Sequence, residues 1–340
     1  MATVNWLNYA YIKQDGYGRY GMSMIRSLLA EGLDVRPGVT EHIKELPPWM
    51  HLLAGWDWSR LTVQCLPVFM SMPLPGRSWI LSMTENTGVP KEWPDTVNAN
   101  AERLIVPCQH NADVFAERGV RCPIHVVPGG TDPVEFPVLP RPLGRQPYTF
   151  LCISDRAPRK GHELVWDAFY QAFGDEKQTP DVRLLIKGRR NNIHWLNSFN
   201  FRDRRVSFWR TDVDSMSEIY SMVDCVVVPS YGDGWGMIPR EAAMSGKRVI
   251  TTRYSGLEVG IDNWAIPLNN FTLGPALPED YNGQWAVPDI DEVIAQMRWC
   301  YEHQEEAQAD GLKAAAWLRE NQTWGHSARE LIKLMERHAR

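Results

Sequence analysis

The chain has 340 residues, 44% hydrophobic and 23% charged, which is ordinary for a globular protein and long enough for two domains. This composition excludes a collagen, a coiled coil and a wholly disordered chain. With 36 Lys and Arg against 41 Asp and Glu, the net charge of −5 excludes a surface built throughout for polyanions but allows a local basic patch.

Trp, at 15, outnumbers Tyr at 11 and Phe at 10. Such an excess either fills a core or stacks on sugar rings or bases. The six cysteines (Cys65, Cys108, Cys122, Cys152, Cys225 and Cys300) form no C-x-x-C pair and sit mostly in apolar runs, the pattern of buried free thiols. There is no basic and apolar leader, and no run approaches the roughly 20 apolar residues that span a bilayer. The expected setting is therefore cytoplasmic, the host cytoplasm if the chain is viral. Oligomeric state is not legible.

Residues 4–11 read as a strand and 19–31 as a helix with Met22, Ile25, Leu28 and Leu29 on one face. Further strands are expected over 61–69, 78–83, 103–106 and 125–127, with a helix over 111–118. The proline-rich run 137–147 (PVLPRPLGRQP) has no periodicity and reads as an interdomain linker. The alternation then restarts, with strands over 149–153, 183–186, 206–209, 225–228 and 248–251. Helices are expected over 160–173, 215–223 and 239–245, the last with Pro239 in its first turn. The end reads as helical over 289–320, broken near Gly311, and again over 327–340. Strands alternating with helices give parallel α/β sheets, and two such units place a ligand cleft at the carboxyl ends of their strands.

Three glycine-bearing or basic turns stand between an expected strand and an expected helix. GYGRYG at 16–21 fits G-x-G-x-x-G, with Gly16 and Gly18 allowing close backbone approach to a phosphate. Dinucleotide binding, with Asp34 or Glu41 as the acidic partner, approach to another phosphorylated ligand, and a plain turn are the alternatives. RAPRKG at 156–161 sets Arg156, Arg159 and Lys160 beside a helix start, which makes an anion site or else a solvated basic turn. PSYGDGWGMIPREA at 229–242 runs from a buried strand through a glycine-rich loop into a helix, with the carboxylates of Asp233 and Glu241 eight positions apart. Exposed amides and carboxylates of this kind suit a polyhydroxylated ligand.

Other features are weaker. Asp212-Val213-Asp214 and Asp289-Ile290-Asp291 are D-x-D triplets just before helices, where capping is the expected role. No histidine falls in a metal spacing. The stretch from Lys187 to Arg210 interleaves seven Lys or Arg with Trp195, Phe199, Phe201, Phe208 and Trp209. It either tracks nucleic-acid phosphates or is a loop and strand with buried aromatics and solvated cations.

The 229–242 stretch resembles the E-x7-E signature of the retaining glycosyltransferases of glycosyltransferase family 4. AAMSGKRVI at 242–250 is similar to that family's EAMA-x-G-x-PVI continuation, and residues 107–136 and 160–169 resemble further family segments in the same order. The resemblance covers nearly the whole chain. It implies a GT-B fold: an α/β architecture of two Rossmann-like domains with parallel sheets facing an interdomain cleft, and a C-terminal helix crossing back to the N-domain. The expected domains are 1–140, 141–324 and the helix 325–340.

The same resemblance implies roles for individual residues. Asp233 would hold donor-sugar hydroxyls and Glu241 the nucleotide ribose. Gly234, Trp235 and Gly236 would present backbone amides to the sugar, with Met237 beside them. Lys160 with Arg156 or Arg159 would neutralise the diphosphate, and Gly16 and Gly18 would let the N-domain backbone approach the donor. Asp233 stands where the family has Glu, and Asp155 where it has Arg. The N-domain segment SMTEN at 82–86 has no histidine, which leaves Glu85 and Asn86 as acceptor-side candidates.

The function implied is transfer of a hexose-like sugar, with retention, from a UDP- or GDP-linked donor to a glycan or lipid-linked acceptor, with no cofactor and no required metal. The alternatives are a DNA glycosyltransferase acting on a hydroxymethylated base through 187–210, and an inactive nucleotide-sugar-binding module. A nicotinamide dehydrogenase leaves the Asp233–Glu241 region unexplained.

Overall fold

Apolar runs alternating with glycine-rich turns build two parallel sheets, each with its own helices. The computed structural model describes residues 3–13, 15–39, 50, 55–153, 157–188, 203–277 and 282–338. The expected site residue Arg156 lies outside the described residues, as do Glu41, Trp49, Asp155, Arg202 and most of the basic aromatic stretch, 189–202. The chain divides into two compact units. The first comprises Met1–Gly130, Asp280–Asn282 and Gln322–Arg340; the second comprises Thr131–Glu279 and Gly283–Asn321.

The first unit holds β1 (Thr3–Asn8), α1 (Gly16–Ala30), β2 (Asp34–Val39), β3 (Leu61–Cys65), β4 (Ser78–Leu81), α2 (Trp93–Asn100), β5 (Arg103–Val106), α3 (Gln109–Glu117) and β6 (Ile124–Val126). Its six strands pair in parallel in the order β2-β1-β3-β4-β5-β6.

The second unit holds β7 (Tyr148–Ile153), α4 (His162–Phe173), β8 (Val182–Lys187), β9 (Val206–Trp209), α5 (Ser217–Tyr220), β10 (Cys225–Val228), α6 (Met237–Met244), β11 (Arg248–Thr252) and β12 (Ile266–Leu268). A two-stranded hairpin, β13 (Phe271–Pro275) with β14 (Gln284–Pro288), then leads into α7 (Ile290–Glu302) and α8 (Gln304–Asn321). The sheet order β12-β11-β10-β7-β8-β9 is the doubly wound one, and its switch point lies between β7 and β10. Strands buried on both faces need continuous apolar runs, and Cys225-Val226-Val227-Val228 is one. Successive residues of β7 serve opposite faces: Phe150 packs with Phe169 and Met297, Leu151 with Val226, Ala243 and Leu318.

The last helix, α9 (Trp324–Arg337), returns to the first unit. Its buried stripe of Trp324, Ala328, Leu331 and Met335 covers α1, and the Trp324 ring meets Tyr20 edge-on at 4.8 Å. No described helix is long and apolar enough to cross a membrane.

Three local expectations change. The C-terminal helical run breaks at His303, between α7 and α8, and not at Gly311. Gly311 lies inside α8, where a Cβ would meet the Gly246 carbonyl oxygen at 2.6 Å, so the missing side chain serves close packing against the start of β11. The proline-rich run 137–147 belongs to the second unit. Leu139 N donates to Ser245 O at 3.0 Å, Gln308 Nε2 donates to Arg141 O, and Arg141 pairs with Asp224. Lastly, β2 and α2, unforeseen from the sequence, are present. Pro37 and Gly38 hide the first and the short run WPDTVNAN the second.

Candidate active site

The loops leaving β7 and β10 carry the charges at the switch point of the second sheet. After β7 the chain forms a single turn, Pro158–Lys160, and Gly161 then starts α4. Gly161 has φ +66°, and a Cβ there would meet Pro229 O at 2.4 Å, so only glycine permits this approach of the two loops. They are stitched further by Tyr231 N donating to Arg159 O at 2.6 Å.

That stitching brings Lys160 and Arg159 onto Asp233. Lys160 Nζ lies 2.7 Å from Oδ1 and 2.9 Å from Oδ2 of Asp233, and Arg159 donates to Oδ1 at 3.1 Å and to Gly232 O at 2.9 Å. Burial pushes the Asp233 carboxyl up, but Lys160 and Arg159 outweigh it and hold the group at about 2. Among the described residues of this cluster two cations meet one carboxylate, which is chemistry for an anion.

The Asp233 backbone is fixed by a turn the sequence did not signal. Ser255 Oγ donates to Asp233 O at 2.8 Å and accepts from Asp233 N at 3.0 Å, while Gly256 N donates to the same carbonyl at 2.9 Å. Ser255 adopts φ +51°, a costly conformation for a residue with a Cβ. A Cβ on Gly256 would meet Gly234 O at 2.2 Å.

Arg240 was likewise invisible as a site residue. It is fully buried in α6, its guanidinium 3.9 Å from the Trp235 ring centroid and 4.6 Å from that of Trp264. It donates to the carbonyls of Trp235, Gly236 (3.3 Å), Gly256 (2.9 Å) and Val259 (3.0 Å). A cation between two indoles and four carbonyls clamps the 233–236 loop to the 255–259 turn. Gly236, at φ +77°, caps α6, and a Cβ there would meet Leu257 at 2.3 Å. Gly234 and Trp235 are buried and Met237 is half-buried. Glu241 is also buried, on α6 immediately after Arg240.

In the first unit the structure assigns the glycines differently. Asp15 caps α1, its Oδ1 accepting from Gly18 N at 2.8 Å, and Tyr9 donates to its Oδ2 at 2.5 Å. A carboxylate thus occupies the amide that was expected to face a phosphate. A Cβ on Gly18 would meet Ile12 O at 2.6 Å, so glycine is required there by the chain's own turn, whereas nothing lies within 4 Å of one built on Gly16.

Asp34 cannot serve a dinucleotide at this loop. It is the first residue of β2, paired in register with Thr3 at the start of β1, while the loop follows the other end of β1. Its carboxylate takes Arg36 at 3.0 Å and Thr3 Oγ1 at 3.2 Å. Of the acceptor-side candidates, Asn86 is buried, with Oδ1 accepting from Gly88 N at 2.7 Å and its carbonyl 3.1 Å from His110 Nε2, and Glu85 is half-buried beside it. Tyr17 OH reaches the same segment, 3.1 Å from Ser82 Oγ.

The D-x-D triplets part company. Asp289 caps α7 through Asp291 N at 2.9 Å. Asp212 and Asp214 are exposed and do not cap α5, where Ser215 Oγ accepts from Ser217 N. Among the described residues, no three His, Cys, Asp or Glu side chains gather where they could hold a metal ion.

Comparison with known proteins bears on the second unit first. Residues 147–300 match the family model described as glycosyl transferases group 1. No curated protein matches the chain in sequence. Solved structures match it over almost its full length. Sucrose-phosphate synthase from Thermosynechococcus elongatus has a TM-score of 0.71 at 15% identity and covers 99% of each chain. Anabaena HepE in complex with UDP and glucose has 0.70 at 14%, covering 98% of this chain and 99% of its own. A glycosyltransferase from Rickettsia africae has 0.69 at 11%, covering 99% and 98%. The fold is therefore GT-B, two α/β units with parallel six-stranded sheets, and the residues that match the glycosyl transferase model lie almost wholly in the second unit. The Lys160–Asp233 cluster lies within the matched residues.

Proposed function

We propose that the protein transfers a hexose-like sugar, with retention, from a nucleotide-diphosphate donor to an acceptor hydroxyl. The observation that carries this reading is the pairing of Lys160 and Arg159 with Asp233 at the switch point of the glycosyl transferase domain. Lys160 and Arg159 take the donor diphosphate. Asp233, released from part of that pairing, accepts hydroxyls of the sugar, and Glu241 accepts from the ribose. One structural relative, HepE, solved in complex with UDP-glucose and with UDP and glucose, supports a UDP-linked donor.

In the reaction the bond from the anomeric carbon to the donor phosphate oxygen breaks. The acceptor oxygen bonds that carbon on the same face, and the acceptor proton passes to a donor phosphate oxygen. Lys160 and Arg159 offset the charge that develops on the departing diphosphate, so the chemistry does not need a divalent metal. The acceptor is a saccharide or lipid-linked hydroxyl, with Glu85 and Asn86 of the first unit as the candidates to bind it. The cysteine pattern supports a cytoplasmic setting.

The test is a thermal-shift panel of UDP-, GDP-, ADP- and TDP-sugars followed by donor hydrolysis without acceptor, with and without EDTA. Stabilisation by one donor and hydrolysis that survives EDTA are expected. Binding without hydrolysis or transfer favours a nucleotide-sugar-binding module, and no binding removes the reading.

A further inference from the structure

The amino ends of β7, β10 and β11 frame a small pocket open to solvent. It lies within the second unit, at the opposite end of the sheet from Lys160 and Asp233. Arg141, Arg145 and Lys247 line it, against the single carboxylate of Asp224. That carboxylate is already engaged, taking Arg141 and the Thr149 amide at 2.7 Å.

The cations have donors to spare. Lys247 is 2% exposed and donates to Leu139 O, leaving N–H capacity on an ammonium that carries three donors. Burial depresses that ammonium to about 8, with Asp224 raising it and Arg141 lowering it further. Arg141 is 7% exposed and its guanidinium donates to Asp224 and, at 3.3 Å, to Pro147 O. Fastening the proline-rich run takes Arg141 with Asp224 and Pro147 O, and Lys247 with Leu139 O. It does not account for a surplus of two positive charges among the described residues that line the pocket.

We propose that this pocket binds a phosphate group, either inorganic phosphate or the head of a phosphomonoester whose organic part points out of the mouth. A tetrahedral anion accepts from several donors at once and balances the surplus charge. The site is separate from the donor site and stands whether or not the proposed transfer reaction is correct.

The experiment titrates inorganic phosphate and phenyl phosphate into the full chain by calorimetry, with chloride at matched ionic strength as control. The wild type is compared with Lys160→Ala, Arg145→Ala and Lys247→Met. Phosphate should bind the wild type and Lys160→Ala with the same Kd. Arg145→Ala, at an exposed position, should weaken binding several-fold, and Lys247→Met by about tenfold or more. Phenyl phosphate binding as tightly as phosphate identifies a monoester site, and weaker binding a site for free phosphate. The proposal falls if phosphate does nothing beyond chloride, if binding vanishes only in Lys160→Ala, or if Arg145→Ala leaves Kd unchanged. Should Lys247→Met fail to fold, Arg145→Ala and Arg145→Glu decide alone.

Discussion

Lys160 Nζ sits within 3 Å of both carboxylate oxygens of Asp233, at 2.7 and 2.9 Å, and so joins the loop after β7 to the loop after β10. With Arg159 it overrides the burial of Asp233 and holds that carboxyl at about 2. Because the folded value lies below the ordinary carboxylate value, the stability this group contributes is present in full above about pH 4. It is lost as pH falls toward 2. Lys160→Met should raise the Asp233 carboxyl, since burial is then opposed by Arg159 alone. An NMR titration of the Asp233 carboxyl carbon measures this, and an unmoved titration would show that Lys160 is not the controlling charge.

Lys160→Ala and Glu241→Gln should each weaken donor binding by about tenfold or more, the loss of one charge-assisted hydrogen bond. Calorimetry with the donor found in the thermal-shift panel checks this. Circular dichroism should show both variants folded. Unchanged affinity in both removes the site assignment.

Arg240→Lys should destabilise the protein by about 2–3 kcal/mol. A lysine cannot serve four carbonyls or stack between Trp235 and Trp264. Gly236→Ala should destabilise too, through its positive φ and the contact with Leu257. Urea denaturation reads both. Donor affinity should fall with stability, because the 233–236 loop loses its clamp.

The basic aromatic stretch yields an altered expectation. Arg205, a phosphate contact only on the alternative of a DNA acceptor, is 1% exposed, pairs with Asp203 at 2.7 Å and donates to the carbonyls of Phe173, Gly174 and Thr179. Arg205→Ala should therefore lower the urea midpoint and leave any salt dependence of DNA binding unaltered, while the exposed Arg204 replaced by Ala should leave stability unchanged. A gel-shift titration with plain and hydroxymethylated duplexes at two salt concentrations completes the test. No binding at low salt eliminates a DNA acceptor.

The sequence by itself determined the α/β class, most strands and the place of three glycine-bearing or basic turns after strands. Apolar runs such as residues 225–228 and glycines between strand and helix are local signals. Its GYGRYG turn proved ambiguous for a physical reason: Gly18 is demanded equally by a ligand or by the chain's own backbone, and only folding showed Ile12 beside it. Pattern also placed Asp233 and Lys160 on loops after strands. That the two meet depends on β7 and β10 being neighbours across a switch point, although 73 positions separate the residues in the chain. Ser255 and Arg240 were illegible for the same reason. A serine in a turn and an arginine in a helix are ordinary until tertiary packing sets one against the backbone of Asp233 and the other between two indoles.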